Sequence, residues 1–191
     1  TMQPCWGVLL HGPAFPLAEE IARRWPAMKR VARIPDDDTW DEPNQAEAIA
    51  RALLPEGAYL MGQGYACEAM QAAPWANILQ TSNEICSTAQ ARTAAWHERY
   101  REYELGFIDA AHRGGFEVMS LNIPVGNFYV GQSSLFPFYL EVAQKTDYLA
   151  YGCYTREKTR VYDSLQSDYH EFRWRMFANA AADLGVKTTW L

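Results

Sequence analysis

Short apolar runs alternate with segments of helical periodicity along almost the whole chain, and that rhythm constrains the fold more than any other feature. Trp6 to His11 reads as a first buried strand ended by Gly12-Pro13. Leu17 to Trp25 reads as a helix that Pro26 stops. Val31 to Ile34 is a second strand, Pro35 to Asp38 a loop, and Pro43 to Leu54 a second helix with proline at its first turn. Pro55-Glu56-Gly57 turns into a third expected strand, Ala58 to Gly62. A helical patch from Glu68 to Ala73 then precedes the fourth, which runs through Asn77-Ile78-Leu79-Gln80 towards Glu84.

The helix after Glu84 is the clearest element. Ser87 with Gln90 three residues on makes a capping box, and Trp96, Tyr100, Tyr103, Phe107 and Ala111 trace one face at helical spacing. His112 and Arg113 fall in its last turn and Gly114-Gly115 ends it. Phe116 to Asn122 is the fifth strand, Ser134 to Lys145 a helix, and Asp147 to Gly152 the sixth strand. A long helix then runs towards Leu184, with Val161, Leu165, Tyr169, Phe172 and Met176 on one side and Gly185 as its terminator. Val186 to Leu191 begins a seventh strand.

Strands separated by helices imply parallel pairing through right-handed crossovers. Seven of them suit a single α/β domain of the (β/α)8 TIM-barrel type, incomplete at its end, since that fold takes about 250 residues and this chain has 191. The rival is a doubly wound open sheet. Its marker, a G-x-G-x-x-G after the first strand, is absent, because that strand ends His11-Gly12-Pro13.

Composition narrows the function classes. A chain that is 49% hydrophobic fills one core, and its net charge of −6 comes without a basic patch, which argues against a nucleic-acid partner. No apolar run reaches the roughly 20 residues that span a bilayer, and no charged stretch followed by a long apolar one reads as a secretory signal. Cys5, Cys67, Cys86 and Cys153 form no C-x-x-C pair, so they read as buried free thiols, with no metal or cofactor expected. Seven Trp and eleven Tyr are generous, and suit either core packing or a site that stacks flat sugar rings.

The run Ile78 to Glu84, the long helix, Gly115 to Asn122, Val125-Gly126-Asn127 and the stretch Asp147 to Tyr151 together resemble the retaining glycoside hydrolases of clan A. The resemblance covers the chain from about Leu60 onward, and the first 55 residues share only the rhythm. It implies a TIM barrel whose fourth strand ends in Asn83-Glu84, with Glu84 as general acid/base and Asn83 bonding the sugar 2-hydroxyl. Arg33, at the end of the second strand, would hold the nucleophile ionised, and Tyr151 or Tyr154 would hydrogen-bond it. In that family the nucleophile is a second Glu at the end of the seventh strand. Here the chain stops inside that strand at Thr188-Thr189-Trp190-Leu191 with no Glu, so a truncated domain with the nucleophile beyond Leu191 is expected.

A retaining mechanism sets two carboxyl groups roughly 5–5.5 Å apart, one attacking the anomeric carbon and one protonating the leaving oxygen. Each candidate has a plain structural alternative. Glu84 would otherwise flank the helix after it, and Asn83 would be a turn residue. Arg33 would sit in a surface ion pair and Tyr151 in the core, while His11, at the end of the first strand, either lines the sugar site or is satisfied in a loop. Trp190 supplies either a stacking floor or barrel filling. Glu68, after the expected third strand, is a weaker inward-facing carboxylate, and Asp36-Asp37-Asp38 is a solvated loop. The leading function is hydrolysis of a β-linked poly- or oligosaccharide. The alternatives are a non-catalytic carbohydrate-binding or structural barrel, and a barrel enzyme of other chemistry.

Overall fold

Among the described residues, each strand pairs with the strands next to it in sequence. The computed structural model describes residues 7–33, 54–81, 93–123, 136–151, 174–183, 185–186 and 189–190. Its strands are β1 (Gly7–His11), β2 (Lys29–Arg33), β3 (Ile78–Gln80), β4 (Glu117–Ile123), β5 (Tyr148–Tyr151) and β6 (Thr189–Trp190). They form one curled sheet in the order β1-β2-β3-β4-β5-β6, every neighbouring pair parallel. The helices are α1 (Ala18–Arg24), reached through a 3-10 segment at Gly12–Leu17, then α2 (Pro55–Ala72), α3 (Ala94–Arg113), α4 (Phe136–Lys145) and α5 (Trp174–Asp183).

Sequential order decides the winding. A doubly wound sheet reverses its strand order at a switch point, whereas every crossover here moves one strand along in the same direction. Right-handed crossovers of that kind put all the helices on one face. They line up as a layer, α2 packing on α3, α3 on α4 and α4 on α5. The result is part of a barrel wall. Among the described residues β1 and β6 each pair along one edge only.

Both faces of the sheet are buried, which is why the strands read as apolar runs without alternation. Ala32, Leu79, Val118 and Leu149 point to the helices and join the main core with Tyr100, Tyr103, Phe107, Ile108 and Tyr139. Val31, Ile78, Met119 and Ala150 point the other way and form a second cluster on the concave side, with Tyr148 against it. Burial of Ile78 and Leu79 is complete on the two opposite faces of β3.

Helix α3 forms as its pattern predicts, and its five-residue apolar face is buried from Trp96 to Ala111. Its cap is Thr93, whose hydroxyl oxygen accepts the Trp96 N–H at 3.2 Å; the expected capping box of Ser87 and Gln90 lies outside the described residues. At the other end Gly115 takes the left-handed conformation, φ +84°, and Phe116 N–H returns to the Ala111 carbonyl.

The expected third strand is overturned. Ala58 to Gly62 lies inside α2, an 18-residue helix that starts with Pro55 at its first turn. What makes it helical is its buried stripe: Ala58, Gly62, Ala66 and Ala69 recur every three or four residues and face α3. Small residues let the two backbones touch. The expected strands four to seven are therefore β3 to β6. Glu68 becomes an exposed residue of α2, away from any strand end, and Cys67 is exposed beside it rather than buried. The expected helix at 43–54 and the first half of the helix before Leu184 lie outside the described residues. No helix among the described residues is long and apolar enough to cross a membrane.

Candidate functional site

Parallel register turns a list of strand-end residues into a row. His11 stands beside Arg33, Arg33 beside Gln80, and Gln80 beside Met119, all at or near the C-terminal ends of β1 to β4. Alternation from the concave cluster puts Arg33 and Gln80 on the concave side, since Val31 and Ile78 two residues earlier belong to it. Arg33 is half-buried there and Gln80 is buried. Barrel enzymes carry their chemistry at this end of the wall. Tyr151 is in register with Ile123 at the end of β5, and Trp190 with Leu149 on β6.

Two backbone features mark the same end. The β4–β5 register slips between Ser120 and Ile123, and Leu121 within that step has φ +56°, a left-handed conformation that costs a leucine on the order of 1 kcal/mol. Strand irregularities of this sort redirect the chain at the rims of barrels. Thr81, next after Gln80, continues the ladder by donating its N–H to the Met119 carbonyl at 3.0 Å.

The side chain of Thr81 turns the other way. Its hydroxyl donates to Oε1 of Glu104 at 3.0 Å, and Glu104, in the middle of α3, is wholly buried. One turn and two turns before it on the same helix lie Tyr100 and His97, both buried, with His97 Nδ1 hydrogen-bonded to the Tyr139 hydroxyl of α4. Sequence reading missed Gln80, Thr81 and Glu104 as a group. The signal was present for Glu104, which falls on the apolar stripe between Tyr100 and Phe107.

The opposite end of the wall is built for stability. Lys29 at the start of β2 reaches Glu117 at the start of β4, 2.5 Å away, and the Tyr148 hydroxyl donates to the same carboxylate at 3.4 Å. The hydrogen bond to Glu117 holds the Lys29 pKa above its ordinary value, and burial, then the Glu117 charge, raise that of Tyr148. Nearby, Asp147 accepts the Val118 N–H and bonds His112 Nε2, both at 2.8 Å. Glu117 is the one acidic residue on the described strands, and it stands at the end remote from Arg33 and Gln80.

Asn83 and Glu84 lie outside the described residues, as does Tyr154. Counted along the sheet they follow its third strand, and the resemblance expects the fourth. Most of the described aromatic contacts join α2, α3 and α4: Tyr65 with Tyr103, Trp96 with Tyr100, and Tyr100 with Tyr139; Phe15 packs on Trp75. They pack the core and line no concave surface. Among the described residues no three His, Cys, Asp or Glu side chains gather to hold a metal ion. Compared with known proteins, the chain matches no family model, no curated protein and no solved structure.

Proposed function

We propose that the chain belongs to the barrel of a retaining glycoside hydrolase acting on a β-linked poly- or oligosaccharide, with Glu84 as general acid/base and Asn83 orienting the sugar. One observation carries the reading. A parallel sheet wound strand by strand in one direction aligns His11, Arg33 and Gln80 across the C-terminal ends of β1 to β3, and Glu84 follows Gln80 by four residues. In this reading Glu84 protonates the leaving oxygen and later draws a proton from water, while a second carboxylate attacks the anomeric carbon. Arg33 favours the ionised form of that second group by its charge. The reading has two requirements: a strand ahead of β1, so that β3 counts as the fourth, and a strand-end Glu after Leu191 as nucleophile.

A second reading has an observation of its own. Among the described residues no strand carries a carboxylate at its C-terminal end. A barrel without the second carboxylate would bind glycans and turn none over. Replacing Glu84 with Gln separates the two. In the hydrolase the substitution lowers turnover of an aryl β-glycoside at least a thousand-fold with the circular dichroism spectrum unchanged, and undiminished turnover removes Glu84 from the mechanism. Glycan binding without hydrolysis by the unmutated protein supports the second reading.

A further inference from the structure

We propose that Glu104 is a positioning residue for the strand end that leads to Glu84, acting through the hydroxyl of Thr81; the proposal rests on the hydrolase reading. The last residues of β3 divide between the two faces of the wall. Gln80 takes the concave side, while Thr81 hands its hydroxyl to a carboxylate that is fully buried behind the sheet. Thr81 is held twice, by its N–H on the Met119 carbonyl and by its hydroxyl on Glu104. Two residues, Ser82 and Asn83, separate it from Glu84, so the orientation of the Thr81 peptide sets the direction in which the chain leaves β3 towards Glu84.

A buried carboxyl group is a costly way to fill space, because an apolar side chain of the same volume packs there with no polar group to desolvate. What the carboxylate adds is direction. A hydrogen bond in a low-dielectric interior is stronger than one in water, and this one ties the Thr81 side chain to α3. Catalytic groups held within about 0.5 Å depend on such support from residues that never touch substrate. Glu104 comes from the centre of α3, the longest helix among the described residues, which is packed on both α2 and α4. The anchor is therefore set in the most extensively packed part of the helical layer.

Three variants test this in the full protein: Glu104→Leu, Glu104→Gln and Thr81→Val. Positioning predicts that E104L and T81V lower kcat on an aryl β-glycoside at least ten-fold while KM stays within two-fold. E104Q restores most of the rate, because its amide oxygen still accepts the Thr81 hydroxyl. Unchanged kcat in E104L, or a loss that tracks the unfolded fraction, overturns the proposal. Hydrogen exchange gives an answer that needs no activity: the Thr81 amide exchanges at least ten-fold faster in E104L while the Leu79 amide does not. If the unmutated protein turns over no glycoside, it is the hydrolase reading that has failed. Equal exchange at Thr81 in E104L and the parent then still overturns the positioning role.

Discussion

Lys29 and Glu117 join β2 to β4 across the intervening β3, on the concave side at the N-terminal end. Both side chains are about one third exposed (34% and 38%), so solvent screening limits the pair to roughly 0.5–1 kcal/mol. Its pH signature has a definite sign. The folded protein holds the Lys29 proton more tightly than the unfolded chain, which keeps the ordinary value of 10.5. The pair's contribution is therefore complete below pH 10.5 and disappears as pH rises through the folded value. Tyr148 and Tyr59 are also raised, Tyr148 chiefly by burial and Tyr59 chiefly by its hydrogen bond to Asp109, so their ionisation costs stability above pH 10.0. Urea titrations from pH 8 to 11.5 should show stability falling from about pH 10. In Lys29→Met the fall should be shallower, with the tyrosine part retained. An identical alkaline limb in K29M would remove Lys29 from the balance.

At the scale of elements, α2 and α3 meet through a reciprocal device. Tyr59-Leu60-Met61-Gly62 and Tyr103-Glu104-Leu105-Gly106 share the spacing Tyr-x-x-Gly, and each glycine rests on the other helix's tyrosine carbonyl. A Cβ added at Gly62 would overlap the Tyr103 carbonyl oxygen, and one at Gly106 that of Tyr59. Backbone cannot yield as a side-chain tip does, so Gly62→Ala should cost about 3 kcal/mol by forcing the helices apart. Gly64, two residues on, meets nothing within 4 Å, and Gly64→Ala should gain about 0.5–1 kcal/mol from helix propensity alone. Thermal unfolding of both variants checks the contrast, and equal effects would mean that the helices do not touch at Gly62. The same contact explains what sequence reading made of this segment. A helix buried through alanine and glycine shows no large apolar stripe, and its bulky residues Tyr59, Leu60 and Met61 sit together like a strand. Helix α3 was legible because its buried face is aromatic and Gly114-Gly115 marks its C-terminal end, whereas its N-cap, Thr93, was not read. Strand order was legible as alternation, but the row His11, Arg33, Gln80 depends on register, which no single segment encodes.

At the scale of the molecule, the described strands differ in how many partners hold them. β2, β3 and β4 each pair on both sides, and their inward and outward residues are buried in two separate cores. β1 and β6 pair on one side among the described residues, and β6 is two residues long. Opening β3 means exposing Ile78 and Leu79 together, both fully buried, and breaking ladders with two neighbours. Opening β6 breaks one short ladder. Amide exchange should therefore be slowest at Ile78 and Leu79, approaching the free energy of global unfolding, and at least a hundred-fold faster at Thr189 and Trp190. The ordering bears on function because β3 is the strand that runs on towards Glu84. A general acid has to keep its geometry through a reaction cycle, so it gains most from the least mobile support in the sheet. Exchange at Leu79 as fast as at Trp190 would mean that the wall has no rigid centre. The proposal that catalysis sits at the end of β3 would then lose its physical basis.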